Sequence, residues 1–208
     1  MTRAGFWVVI GAGGHAAVVV STIQAMGGTV RAIFDDDPRR HGSKVLGVPV
    51  IGPVGLCRLE AGEQAILGVG DNGVRRDLAA KLSLSWGVAI HPSALVHSSV
   101  TIGGGSVVFA GTVIQPRTVV GRHVIVNTAA SVDHDGLLED FCHVAPGAHL
   151  SGHVTIREGA LMGVGSAAIP GAIVGAWTVV GAGGAVVGEL PAGTVCVGVP
   201  ARPRAKKA

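Results

Sequence analysis

From Ile90 to Val186 every sixth residue is apolar. Ile90, Val96, Ile102, Val108, Ile114 and Val120 open a run of seventeen hits that reaches Val174, Val180 and Val186 without losing register. The position two before each hit is nearly always small or Val, as at Ala94, Ser106, Thr112, Ala130, Cys142 and Ala148. An amphipathic helix repeats about every 3.6 residues and a half-buried strand every 2, so neither explains the spacing. A period of six arises when three short strands close one triangular coil of eighteen residues. Each strand then sends one aliphatic side chain inward, and each corner takes a small residue. Parallel strands of successive coils stack about 4.8 Å apart, and seventeen hexads make between five and six coils. Each inward aliphatic contributes roughly 1.5–3 kcal/mol by burial, while the ladder between coils satisfies the backbone. Unrelated buried strands would drift in register, and no drift occurs.

Residues 1–87 lack this period and read as a small α/β domain of alternating strand and helix, with 88–190 as the parallel β-helix and 191–208 as a closing segment and tail. Trp7–Ile10 reads as a buried strand, Gly11-Ala12-Gly13-Gly14-His15 as a tight turn, and 16–26 as a helix with Val19 and Ile23 inward. Val30–Phe34 is a second strand ending on Asp35-Asp36-Asp37. Residues 65–69 make a third, and a helix follows from about Gly73 to Leu82. Loops at the carboxyl ends of such strands are where α/β folds hold ligands. Gly11-x-Gly13-x-x-Ala16 with an acidic residue about 20 positions on fits a dinucleotide fingerprint, which makes an NAD-dependent dehydrogenase a rival reading. The domain spans only half of a two-lobed dinucleotide fold, and no hydride-transfer domain follows it. Half of such a fold suits a single nucleotide. The N–H groups of Gly13, Gly14 and His15 at a helix start would hold a diphosphate, and Asp35 or Asp36 would accept hydrogen bonds from base or ribose.

Nine histidines are present. His91, His97 and His123 fall at coil corners and read as surface residues, and His143 and His149 each precede an inward aliphatic, where an outward-facing residue belongs. His134 differs, because it stands between Asp133 and Asp135. Acyl transfer from a thioester to an amine requires the amine to lose a proton as it attacks, a task suited to an imidazole supported by a carboxylate. Spacing leaves open which aspartate supports it, since a corner breaks the alternation of side chains. Residues eighteen apart stack on adjacent coils, so Gly152 lies one rung above His134 and offers its N–H as an oxyanion donor. His143 is half a coil away, so if it shares a site with His134 the two come from different protomers.

The six-residue pattern resembles that of the hexapeptide-repeat acyltransferases, as does the closing segment Val197-Gly198-Val199-Pro200-Ala201-Arg202. GAGGHA at 11–16, NTAASVDHD at 127–135, FCHVAPGAHLSG at 141–152 and IPGAIVG at 169–175 narrow the resemblance. They are similar to the bacterial enzymes that acetylate nucleotide-linked amino sugars, such as 4-amino-4,6-dideoxy sugars on UDP or GDP, and to acetyltransferases of sialic-acid pathways. The resemblance implies a left-handed coil, a homotrimer with sites between protomers, acetyl-CoA as co-substrate, His134 as general base and Asp135 as its partner. It implies that His143 and the backbone at Gly152 contact acetyl-CoA, with Val164 and Ala182 lining the pantetheine path. It also implies that Gly13, Gly14, His15, Asp35 and Asp36 bind the sugar nucleotide. Gly136-Leu137-Leu138-Glu139 departs from the family's usual run after the catalytic pair.

Two rivals share the scaffold. O-acetylation of a sugar hydroxyl needs a stronger base. A zinc hydrolyase of the β-helix type needs three histidines, two of them five apart, a spacing this sequence lacks, and no metal is expected. Four of the sixteen basic residues, Arg202, Arg204, Lys206 and Lys207, crowd the last seven positions, and without them the net charge of +3 becomes −1. Only 3% of residues are aromatic, so the basic face interleaved with aromatics that marks a nucleic-acid binder is missing. Cys57, Cys142 and Cys196 are scattered and read as reduced thiols. No stretch has the length of a membrane span, and a cytoplasmic location is expected.

Overall fold

The computed structural model describes residues 5–204; Lys206 and Lys207 of the basic tail lie outside the described residues. Five strands form the N-terminal sheet: β1 (Phe6–Ile10), β2 (Thr29–Phe34), β3 (Lys44–Val45), β4 (Val48–Gly52) and β5 (Glu63–Leu67), in the order β3-β4-β2-β1-β5. All neighbouring pairs are parallel except β3–β4. Two helices accompany them, α1 (Gly14–Ala25) and α2 (Asn72–Lys81). β3 and β4 are absent from the sequence reading. They are a hairpin closed by Leu46 and Gly47, both left-handed at φ 48° and 85°; β3 has two residues, too few to show a period, and β4 has five, interrupted by Pro49.

The remainder is a parallel β-helix. Residues eighteen apart pair in register, as in Val113↔Ser131 and His143↔Leu161, except in the last coil, where Ile173 pairs with Glu189. The first face stacks seven parallel strands with an antiparallel one at Arg202–Pro203, and the other two stack six strands each. The inward aliphatics from Val108 to Val186 form one buried column, joined at its open end by the partly buried Ile90, Val96 and Ile102. The first face carries Val108, Val126 and Val144, the second Ile114, Val132 and Leu150, and the third Val120, Leu138 and Ile156.

The corners follow a rule finer than the small residue expected from the sequence. From Gly105 to Gly183 every sixth residue, fourteen in succession, has φ between 54° and 82°. This left-handed residue turns the chain, and its N–H bonds the coil before, on a carbonyl as in Asp135 N–H to Pro116 O at 3.0 Å or, at Gly111 and Arg117, on a serine hydroxyl. The small residue that follows points into the prism. Where it is Ser or Thr, its hydroxyl is satisfied on a neighbouring corner carbonyl, as in Thr118 Oγ1 to Asp133 O at 3.0 Å. Glycine fills seven of the fourteen corners. The others are Arg117, His123, Ala129, Asp135, Phe141, His153 and Trp177.

The two parts share a core. Ala89, Val107, Phe109 and Ile125 on the outside of the first face are buried with Val19, Val20 and Ile23 of α1. Arg75 of α2, 1% exposed, then ties the sheet to the prism. Its guanidinium donates to Gly70 O at 2.8 Å, Phe141 O at 2.7 Å and His123 O at 3.2 Å. His123 is therefore not the surface residue expected: it is 1% exposed, stacked on Phe141 at 5.3 Å and edge-on to Trp86 at 4.8 Å. Its ring covers Gly105, where a side chain would collide with it. The sequence shows which residues are corners but not which corner the N-terminal part covers. Among the described residues no helix is long and apolar enough to cross a membrane.

Candidate active site

Asp133, His134 and Asp135 round the corner between the second and third faces. Asp133 Oδ1 accepts the backbone N–H of His134 at 2.7 Å, and so holds the main chain. Asp135 turns left-handed, φ 56°, which swings its carboxylate back onto the imidazole: His134 Nδ1 lies 2.7 Å from Asp135 Oδ2. Of the two aspartates left open by spacing, Asp135 is the one on the ring. A proton on Nδ1 leaves Nε2 with its lone pair outward, on a side chain 47% exposed. Arg117, one coil below, grips the same carboxylate, Nε to Oδ1 at 2.6 Å and a terminal nitrogen to Oδ2 at 2.8 Å. His153, one coil above, stands 3.7 Å from Oδ2 and edge-on to His134 at 5.2 Å. Arg117 and then His134 hold the Asp135 carboxyl well below the usual carboxylate range, so it is anionic across the working pH.

Gly152 is stacked on this ring. A Cβ there would stand 2.6 Å from His134 Cε1 and 2.8 Å from Nε2. Among the described residues its N–H has no hydrogen-bond partner. A base and an unpaired N–H donor thus share one open ledge. The donor atoms of His134, Asp135 and His153 lie within 4.8 Å of one another, close enough for a cation, but both Asp135 oxygens already carry the Arg117 fork. Sequence reasoning missed Arg117 and His153, although their intervals of eighteen from Asp135 were the available signal.

The other expected site residues lie elsewhere on the chain. Val164 and Ala182, both exposed, stack one coil apart at the corner between the first and second faces, where Gly183 N–H bonds Val164 O at 2.9 Å. His143 sits on the first face under the N-terminal part. Its Nε2 accepts from Asn127 Nδ2 at 3.0 Å, its ring also bonds the Gly70 backbone, and the His15 ring is 6.4 Å away. Burial, then the charge of Arg75, pushes His143 down to about 3 and His15 to about 4, so both are neutral near pH 7. Within one chain His134 and His143 are not brought together.

At the start of α1, the N–H groups of Gly13, Gly14 and His15 have no acceptor among the described residues. Gly11 is left-handed at φ 99° and packs against Val69, so its own backbone demands glycine. Gly13 and Gly14 are not left-handed, and a Cβ on either would meet nothing within 4 Å. Neither packing nor conformation requires those two glycines, and an approaching ligand would. Asp35 accepts from Ala12 N–H at 2.6 Å and Asp37 N–H at 2.8 Å, and Asp36 from Val54 N–H at 2.8 Å, so both carboxylates brace the loops around the turn. Arg40, missed in the sequence, donates to Ala12 O at 2.6 Å and brings a cation beside the helix start. A cleft of about 360 Å3 opens between Gly70–Gly73 and Trp177, with His143 in its lining.

Residues 7–82 match the family described as the PglD N-terminal domain. Over nearly its whole length the chain is similar to perosamine N-acetyltransferase from Caulobacter crescentus, solved as a His→Asn variant with CoA and GDP-perosamine. Identity is 42%, coverage 98% of this chain and 99% of that one, and the TM-score 0.92. It is similar also to the acetyltransferase domain of PglB from Neisseria gonorrhoeae, at 43% identity, 96% and 99% coverage and a TM-score of 0.88. WeeI from Acinetobacter baumannii, 24% identical with 96% and 99% coverage and a TM-score of 0.86, shares the fold. Matched from end to end at this level of identity, and carrying the N-terminal domain as well as the coiled prism, the chain belongs to the family of hexapeptide-repeat sugar-nucleotide N-acetyltransferases.

Proposed function

We propose that the chain moves the acetyl group of acetyl-CoA onto the amine of a nucleotide-linked amino sugar, a 4-amino-4,6-dideoxy sugar on GDP or UDP, with His134 as general base. The observation that carries this reading is the His134–Asp135 pair with Nε2 free beside the bare Gly152 N–H, on a chain 42% identical to an enzyme crystallised with CoA and GDP-perosamine. As the amine nitrogen attacks the thioester carbon, Nε2 takes its proton and Asp135 stabilises the imidazolium. The Gly152 N–H faces the oxygen that gains charge. Collapse breaks the C–S bond, the imidazolium returns its proton to the departing thiolate, and the products are CoA and the N-acetylated sugar nucleotide.

Gly13, Gly14 and His15 serve as the diphosphate cradle in this reading, with Asp35 and Asp36 at base and ribose. His143, Gly152, Val164 and Ala182 line the acetyl-CoA path. Those residues occupy separate corners and faces, which supports a site assembled between protomers of a homotrimer. The reaction belongs in the cytoplasm and feeds glycan assembly.

Incubating the protein and acetyl-CoA with GDP-, UDP- and dTDP-linked amino sugars, and following a gain of the acetyl mass, tests the reading. Acetylation of a GDP or UDP sugar at its amine is the expected outcome, with His134→Ala lowering kcat by about 10²–10⁴ and leaving the thermal transition unchanged. Wild-type turnover in that variant would remove His134 from the mechanism, and sedimentation as a monomer would remove the shared site.

A further inference from the structure

Three charged or titratable side chains occupy one corner on successive coils: Arg117 (φ 62°), Asp135 (φ 56°) and His153 (φ 60°). Left-handed backbone is unfavourable for residues with a Cβ, and Gly171 fills the next rung of the same corner. At the corner between the third and first faces, the non-glycine residues pack beneath the N-terminal part, His123 against Trp86 and Trp177 against Arg76. At the corner of His134 they meet one another.

We propose that Arg117 is a positioning residue for the general base, acting through Asp135 on the imidazole of His134. This rests on the reading of His134 as base. A lone carboxylate on an exposed corner rotates freely and is solvated on both oxygens. Arg117 removes that freedom, because a guanidinium fork fixes the plane of the carboxylate it grips. Its own backbone is held in turn, with its N–H on Ser99 Oγ at 2.9 Å. With Oδ1 and Oδ2 both engaged, Oδ2 is aimed at His134 Nδ1. Nδ1 therefore keeps its proton, and Nε2, the nitrogen beside Gly152, keeps its lone pair. An exposed ion pair adds little to folding stability, and Arg117 is 66% exposed, so holding the fold does not account for so exact a fork. The charged or titratable groups that face His134 are Asp133, on its backbone N–H, Asp135, Arg117 through Asp135, and His153 at its ring edge.

The test is NMR of the trimeric or monomeric protein, as it occurs, labelled with ¹⁵N and ¹³C histidine, in the wild type, Arg117→Met and Arg117→Lys, beside steady-state kinetics. In the wild type His134 carries its proton on Nδ1. In Arg117→Met the two tautomers mix. With the acetyl acceptor identified above, kcat falls about tenfold while both KM values stay within about twofold, as removal of an effect confined to the transition state requires. Arg117→Lys leaves the tautomers mixed, since it restores the charge without the fork. A single Nδ1–H tautomer in Arg117→Met overturns the proposal, and so does the same tautomer in Arg117→Lys, which decides the matter if the Met variant precipitates. The ring signals are read whether or not acetyl transfer occurs. An inactive wild type with an ordered His134 therefore counts against the proposed function alone.

Discussion

Gly152 stands where any side chain would strike the His134 ring. In Gly152→Ala the new methyl pushes the imidazole off Asp135, and because the ring is half-exposed it swings outward at little cost to the fold. The expected result is kcat lower by roughly 10–100-fold, the order lost when a positioned base is misaligned, with a melting temperature close to the wild type. Kinetics and a thermal melt on one preparation check both parts. Asp135→Asn tests the tautomer differently, because an amide presents a donor to Nδ1 or turns away. A loss of at least about 10² in kcat is expected for a base held in the wrong tautomer, and activity within a few-fold of the wild type would show that Asp135 only solvates the ring. The residues His134 and Asp135 were legible in the sequence because an Asp-His-Asp triplet interrupts an otherwise apolar rhythm. The choice between the two aspartates was not, since it depends on a left-handed φ that the letters do not encode. Arg117 was within reach by counting eighteen back from Asp135, but only once the corner residue itself, rather than the small residue after it, is recognised as the one that faces out.

At the scale of elements, the prism was readable hexad by hexad and α2 to within a residue, but the face on which the N-terminal part docks was not. The repeat declares its own core; the outer lining of its first face, Ala89, Val107 and Ile125, looks like any other outward row until α1 is laid on it. The docked face also explains why His123 reads as a surface residue in the sequence and why the role of Arg75 is not visible there: a buried cation satisfied by carbonyls on three separate stretches of chain leaves no local pattern. Arg75→Met preserves most of the volume but leaves the Gly70, His123 and Phe141 carbonyls without their donor. Unsatisfied buried acceptors cost about 1–3 kcal/mol each, with partial relief from relaxation. A loss of about 3 kcal/mol in urea unfolding is therefore expected, with a weaker grip on the sugar nucleotide, because the Gly70 loop touches both His15 and His143. An unchanged midpoint would mean that the remaining contacts, those of α1 with the first face and of Asn72, Arg76 and Trp86 with the corners, hold the two parts together.

For the whole molecule, the shared core predicts one cooperative calorimetric transition, and two separated transitions would show the α/β part to be independent. The same junction makes stability depend on acid. His15 and His123 are depressed to about 4 and His143 to about 3, each chiefly by burial, against an ordinary value of 6.5. Between that value and the depressed ones the unfolded chain binds protons the folded one refuses, so stability is full above about pH 6.5 and falls as pH drops through 4. Melting temperatures measured from pH 7.5 to 4.5 should decline, and less steeply in His123→Leu, whose buried ring nitrogens have no partner to lose. The register of eighteen has one further consequence, for how such a chain tolerates changes of length. Duplicating a full turn of the prism above His153 would lengthen the column and leave the ledge as it is. A single additional hexad between Arg117 and His134 would rotate everything downstream by a third of a revolution, leave the arginine on another edge, and strand Asp135 without its fork. Growth and loss in this scaffold are therefore quantised, and only whole revolutions preserve its chemistry.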